Sequence, residues 1–240
     1  VVTVPDTRLA QLTAFSQSKK TVPAIVEFVD IAGLVKGASE GEGLGNQFLT
    51  NIRETSAIGE VVRIFEDDDI IHVSGKIDPL SDIETINLEL ILADMQTVSK
   101  RITNLGRDVK RGDKPALEEH AAVTKVLAVL EESLFAHTTK LDEAETKIVK
   151  QLNLLTMKPI LYILNKKAGG HNLDEMNDPR FHKLIEFFKE RGDMYVIIDA
   201  KIEEELNEFE GGERAMFAEE LGVKGDGIDD LIVAAYNLLG

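Results

Sequence analysis

Three short strings hold most of the polar chemistry that the chain can offer. The first is Asp30-Ile31-Ala32-Gly33, which comes after the apolar run Ala24–Val29. An aspartate at a strand's end can hold a magnesium ion through water. A glycine three residues on lets a backbone N–H approach a γ-phosphate without a Cβ in the way. Alone, the string fits an ordinary strand ending in a turn just as well. The adjoining segment changes the odds: Gly33 to Asn46 contains five glycines in fourteen residues, at Gly33, Gly37, Gly41, Gly43 and Gly45. Such a segment is entropically costly to order and suits a switch that orders when a terminal phosphate arrives.

The second string is Asn165-Lys166-Lys167-Ala168, after the apolar run Pro159–Leu164. In GTP-binding proteins the corresponding pattern is Asn-Lys-x-Asp. The asparagine ties loops together, the lysine stem covers the base, and the aspartate accepts from guanine's N1 and N2 donors. Here alanine occupies the fourth position, so the acceptor pair for guanine is missing and most of the discrimination it brings is lost. The third string, Asp199-Ala200-Lys201, matches a Ser-Ala-Lys loop whose backbone lines the base. Each string by itself is explained by a strand ending in a polar turn. Their order and spacing together point to a nucleotide site made by Gly33, Asn165, Lys166, Ala200 and Lys201, with Asp30 as the metal-side residue.

Strands must position these strings. Ala24–Val29, Val61–Phe65, Pro159–Leu164 and Met194–Ile198 read as buried strands separated by helical patterns, which predicts a mainly parallel sheet with helices on both faces. Ligands in such sheets sit beyond the carboxyl ends of the strands, where Asp30, Asn165 and Asp199 fall. Between the second and third strands, Ile91, Met95, Val98, Ile102 and Leu105, then Val123, Leu127, Leu130 and Leu134, give heptad-like seams. A turn at Gly112–Pro115 separates them, so an antiparallel helical hairpin is predicted over 82–134, followed by a third amphipathic helix. The expected organisation is a first part of the core at 1–78, a helical insertion at 79–156 and a second part of the core at 157–240.

The composition agrees with a globular α/β protein: 240 residues, 43% hydrophobic and 29% charged. No run approaches the length of about 18 apolar residues that a membrane span needs. The chain has no cysteine, which excludes disulfides and thiolate metal sites and fits the cytoplasm. A net charge of −16 argues against DNA and against general nucleic-acid binding by the whole surface. Any RNA contact needs a local basic patch, and Arg107, Lys110, Arg111 and Lys114 at the predicted hairpin tip are the candidates, against the plainer reading of a solvated tip. The acidic run Glu66–Asp69 lacks ligand spacing and reads as a solvated loop.

The run Val29–Ser39, then Gly41–Asn46 and Asn51–Thr55, resembles the YchF branch of the Obg-like ATPases almost residue for residue. Val4-Pro5-Asp6, Phe65-Glu66-Asp67, Ile70–Gly75 and Glu220-Leu221-Gly222 belong to the same pattern, so the resemblance covers nearly the whole chain. It implies a P-loop GTPase-like core with a helical coiled-coil insertion. It implies preference for ATP over GTP, Mg2+ as cofactor, and ties to the ribosome, including ribosomal RNA. Gly33, Leu34, Gly37, Gly41, Gly43 and Gly45 would then form switch II. In that family a glycine-rich phosphate loop precedes the segment matching Val1, and a TGS domain comes after the segment matching Gly240. Neither is among these residues, so the 240 residues alone are expected to be catalytically incomplete.

Two positions depart from the family pattern. Ala168 stands where the family has glutamate, which still leaves no guanine-reading aspartate, and Glu60 stands where it has histidine. Leu34 occupies the position at which Ras-like GTPases orient water with glutamine. His72, which matches a family histidine, is the candidate for that catalytic role, because imidazole can hold or deprotonate water near neutral pH. The rival to an ATP-hydrolysing switch is a non-catalytic docking module built on the helical insertion.

Overall fold

The computed structural model describes residues 1–31, 49, 51–67, 77–206, 208–209, 216–217 and 227–240. Seven strands and seven α-helices lie wholly among the described residues. The strands are β1 (Val2–Thr3), β2 (Ile25–Val26), β3 (Ile58–Arg63), β4 (Phe65–Glu66), β5 (Ile160–Asn165), β6 (His171–Asn172) and β7 (Met194–Ile198). The helices are α1 (Arg8–Ser16), α2 (Pro79–Lys110), α3 (Lys114–Glu131), α4 (Glu143–Lys150), α5 (Pro179–Arg191), α6 (Ala200–Leu206) and α7 (Ile228–Leu239). They fall into two compact units: Val1–Asp30 with Gly59–Leu80 and Ile160–Gly240, and Ile31–Ile58 with Ser81–Pro159. No helix among the described residues is long and apolar enough to cross a membrane.

The first unit is built around β5. Its sequence, Ile-Leu-Tyr-Ile-Leu-Asn, is apolar on both faces, as a central strand requires, and it lies between β3 and β7 in the order β3-β5-β7. β5 and β7 pair in parallel from Leu161↔Met194 to Asn165↔Ile198. Helices cover both faces. Leu161 and Ile163 meet Ile232, Ala234 and Ala235 of α7 in one buried cluster with Val4 and Val26. On the opposite face Tyr162 packs on Phe188 of α5, with ring centroids 4.7 Å apart, and Phe188 stacks on Tyr195 of β7 at 5.3 Å.

The strands differ from their sequence expectations in three ways. The run Ala24–Val29 forms only the two-residue β2, antiparallel to β1 through Val2↔Val26 and Thr3↔Ile25. With so short a partner the chain leaves the ladder after Val26, and Phe28 and Val29 are exposed. Asp30 therefore stands past the strand rather than at its end. The run Val61–Phe65 is not one strand. It begins earlier, at Ile58, and is interrupted at Ile64, whose N–H donates to Asn165 O at 2.9 Å and whose carbonyl accepts from Leu173 N at 2.9 Å. After that break β4 pairs antiparallel with β6, Phe65↔Asn172 and Glu66↔His171. β7 has the expected span but is not buried: Met194, Tyr195 and Ile197 are exposed, because β5 is its one ladder neighbour among the described residues.

In the second unit the heptad-like seams form the helical hairpin, except that α3 stops at Glu131 and Leu134, beyond it, is exposed. Leu90, Ile91, Val98 and Leu105 of α2, and Ala116, Val123, Val126 and Leu130 of α3, are buried. α2 runs out at Gly112, whose φ of 78° is a conformation glycine adopts without steric cost. Asp113 then caps α3 by accepting from Ala116 N at 3.0 Å, with Pro115 in the first turn. Arg101 of α2 and Glu119 of α3 join in a two-pronged ion pair, with Nη2 2.7 Å from Oε2. α4 starts in a capping box between Asp142 and Glu145.

Candidate nucleotide-base site

The parallel register of β5 and β7 ends both strands level, and that brings the second and third polar strings side by side. Asn165, the last residue of β5, accepts from Ala200 N with its Oδ1 at 3.0 Å. The next residue completes the join: Lys166 N donates to Ile198 O at 2.8 Å. Across the junction Asp199 caps α6, its Oδ1 accepting from Lys201 N and Ile202 N, both at 3.1 Å. Asp199 is buried, and its other carboxylate oxygen, Oδ2, has no hydrogen-bond partner among the described residues. Ala200 and Lys201 are exposed. The result is a hydrogen-bonded double loop at the carboxyl ends of two parallel strands, with exposed residues on its rim. That is where an α/β sheet binds ligands.

Lys166 is half-buried, and its ammonium is held by carboxylates. Nζ lies 2.8 Å from Glu175 Oε1 and 3.8 Å from Asp174 Oδ2. Burial pulls its pKa down, but the hydrogen bond to Glu175 and the charges of Asp174, Glu175 and Asp199 outweigh that, so it stands above the ordinary lysine value. Lys167 turns the other way and pairs with Asp67. Its peptide is clamped by Asn172, whose Oδ1 accepts from Lys167 N and whose Nδ2 donates to Lys167 O, both at 2.9 Å. Ala168 is exposed and has no side-chain acceptor, and Gly169 comes next with φ of 65°.

Of the residues singled out from the sequence, the structure thus brings together Asn165, Lys166, Ala200 and Lys201. Asp30 is exposed and lies after β2. Gly33, Leu34, Gly37, Gly41, Gly43, Gly45 and His72 lie outside the described residues, as do Asp68 and Asp69 of the acidic run. The other two members of that run are engaged: Glu66 pairs with Arg180 at 2.6 Å and Asp67 with Lys167. At the hairpin tip Arg111 lies 3.6 Å from Asp108 and Lys114 4.0 Å from Glu118, both pairs exposed. Among the described residues no cluster of three or more His, Asp or Glu is placed to hold a metal.

Sequence reasoning missed Asn172, Asp174 and Glu175. One signal was available: Gly169-Gly170 after a polar strand end marks a turn back, which returns the acids beyond it toward Lys166.

No family model matches the chain. Over its whole length it is 50% identical to the ribosome-binding ATPase YchF of Bacillus subtilis (strain 168), spanning 65% of that protein. It is 45% identical to the ribosome-binding ATPase YchF of Haemophilus influenzae, again over all of this chain and 65% of that one. The chain thus spans a little under two thirds of the length of these relatives. The structure of the Schizosaccharomyces pombe YchF GTPase superposes on 99% of the chain and 64% of its own, with a TM-score of 0.81 and 34% identity. Over the stretch it spans, the chain is similar throughout to the YchF branch of the Obg-like P-loop proteins.

Proposed function

We propose that the chain is the base-reading and helical portion of a ribosome-associated nucleotide switch that binds and hydrolyses ATP in preference to GTP. The single observation that carries this reading is the bond from Ala200 N to Asn165 Oδ1, which welds the two loops at the ends of β5 and β7 into one platform. Asn165, Lys166, Ala200 and Lys201 form the base pocket. The preference for ATP stems from Ala168, which has no carboxylate to pair with guanine's two donors. The named activities of the YchF relatives support a nucleotide hydrolase that meets the ribosome.

Asp30 would hold Mg2+ through water. Its exposed carboxylate is a hard oxygen donor of the kind that ion takes. When bound, the ion supplies charge neutralisation on the phosphates. Gly33 would offer its N–H to the terminal phosphate. Gly33, Leu34, Gly37, Gly41, Gly43 and Gly45 would make up the switch, and His72 would position water in place of the glutamine that Leu34 replaces. The helical insertion, which we place at 79–156, would carry the nucleotide state to the ribosome. Its basic tip, Arg107, Lys110, Arg111 and Lys114, would meet ribosomal RNA in the cytoplasm.

The reading is tested on the full-length protein by titration with ATP and GTP and by single-turnover hydrolysis with and without Mg2+. Tighter binding of GTP than ATP, or hydrolysis indifferent to Mg2+, would overturn it.

A further inference from the structure

Lys166 is fixed at both ends. Its backbone N–H is bonded to Ile198 O at 2.8 Å, and its Nζ is bonded to Glu175 Oε1 at 2.8 Å. Glu175 is in turn fixed, because Asn172 Nδ2 donates to its Oε2 at 3.1 Å. Asn172 is 1% exposed and grips the Lys167 peptide through both its amide oxygen and its amide nitrogen. A closed circuit results: Lys167 backbone to Asn172, Asn172 to Glu175, Glu175 to Lys166, and Lys166 back to Lys167 through the chain.

An exposed lysine–glutamate pair by itself contributes little to stability, and Glu175 is half exposed. The circuit matters for geometry. A free lysine has four rotatable bonds, and ordering it on ligand binding costs affinity. Here that order exists before any ligand arrives. The acids also neutralise the ammonium, since Asp174 stands behind Glu175 at 3.8 Å. A charge so engaged is poorly suited to hold a phosphate, whereas the methylene stem remains free to present apolar surface.

We propose that Glu175, anchored by Asn172, is a positioning residue that holds the Lys166 stem against the face of a purine base. The inference rests on reading the 165–168 and 199–201 loops as the base pocket. Stacking on a stem does not distinguish one purine from another, so the device sets affinity for the base and leaves the choice between ATP and GTP to other groups.

The test uses the full-length protein and four forms: wild type, Glu175→Gln, Lys166→Met, and the double variant. Fluorescent ATP and GTP analogues are titrated into each, and steady-state hydrolysis is measured. Glu175→Gln is expected to weaken both nucleotides by about 3–10-fold, the cost of re-ordering one long side chain, with KM rising and kcat unchanged. In the Lys166→Met background, which keeps an unbranched stem but has no ammonium to hold, the same change is expected to do nothing. Glu175→Asp, which keeps the charge but shortens the reach, should fall between. An undiminished effect of Glu175→Gln on the Lys166→Met background, or none on the wild type, would overturn the inference while leaving the base pocket standing. Wild-type protein that binds neither nucleotide would overturn the pocket and this device together.

Discussion

Arg53 and Asp94 meet 41 residues apart in sequence, with Arg53 Nη1 3.3 Å from an Asp94 carboxylate that is fully buried. The carboxylate is otherwise enclosed by donors from a third segment: Leu155 N at 2.9 Å, and Thr156 N and Thr156 Oγ1 each at 2.8 Å. Arg53 also donates to Asn153 O at 2.9 Å and Thr97 Oγ1 at 3.0 Å. Lys158 reinforces the same join by donating to the carbonyls of Arg53 and Thr55. One acid in α2 thus ties the segment at 51–55 and the return segment at 153–158 to that helix. A buried charge is tolerable only with such a set of partners.

Replacing Asp94 with asparagine removes the charge and keeps the shape. It also puts an amide NH2 where a carboxylate oxygen accepts from Leu155 N or from Thr156, and the expected cost of the unmet donor is about 1–3 kcal/mol, read by denaturant unfolding of the 240-residue chain. The pH dependence carries a second signature. Burial pushes Asp94 above its ordinary value of 3.8, against the opposing pull of the Thr156 and Leu155 donors and the Arg53 charge. Between 3.8 and that raised value the folded state holds a proton that the unfolded chain has given up. Asp94's contribution to stability therefore falls as pH rises through the window. The asparagine variant should lack that slope, and identical slopes in both proteins would refute the assignment.

Gly227 opens α7 with φ of 37°, and a Cβ built there would overlap Glu203 Oε1, a side chain of α6 that is itself buried. Gly227→Ala is expected to destabilise the chain by about 1–3 kcal/mol, from the strained backbone and the displaced carboxylate. Combining it with Glu203→Ala should cost less than the sum of the two single changes, because the overlap disappears. Additive costs, measured by denaturant unfolding, would show that the backbone conformation alone forbids a side chain.

What the sequence disclosed was local and periodic. Pro159–Leu164 and Met194–Ile198 stood out as strands because their apolar runs are continuous, and the hairpin because Ile91, Val98 and Leu105 recur at heptad spacing. Long-range partners stayed hidden. Asp94 looks like a polar position beside the seam, and donors 41, 61 and 62 residues away make its burial tolerable. The strand at Ala24–Val29 shrank because propensity cannot reveal how short its partner β1 is. That Asn165 and Ala200 fall at neighbouring strand ends was legible from spacing, and the bond between them follows from it. The bonds of Glu175 to Lys166 and Asn172 were not legible, because they depend on the register that pairs β6 with β4.

His72→Ala in the full-length protein should slow ATP hydrolysis by about 10²-fold or more while leaving ATP affinity nearly intact, as loss of an acid–base group does. The motive is Leu34, which cannot orient water. Single-turnover rates and nucleotide titration separate chemistry from binding. Wild-type turnover in the variant would return His72 to a structural role.

Ala168→Asp should restore the acceptor pair for guanine's N1 and N2 donors. The exposed position beside Gly169 leaves room for the larger side chain. By analogy with bidentate base readout, the GTP-to-ATP affinity ratio should shift toward GTP by about 1–3 kcal/mol. An unchanged ratio would place the base away from residue 168.

The bond between Asn165 and Ala200 can be cut and rejoined. Asn165→Ala removes the acceptor for Ala200 N, so the loop carrying Ala200 and Lys201 loses its tie to the end of β5. The lost hydrogen bond should cost stability by about 1 kcal/mol, a small loss, because the β5–β7 ladder and the Lys166 N to Ile198 O bond remain. Nucleotide affinity should suffer more. A platform whose halves move independently must be ordered by each ligand, and that ordering is subtracted from binding. The loss should be about 10-fold and alike for ATP and GTP, because the bond orders the platform and does not read the base. Asn165→Asp keeps an oxygen in the same place and should recover most of the affinity, since a carboxylate accepts from a backbone N–H at least as well as an amide oxygen does. Affinity lost equally in both variants would mean that the asparagine's amide nitrogen is the group that matters and that the Oδ1 link is incidental.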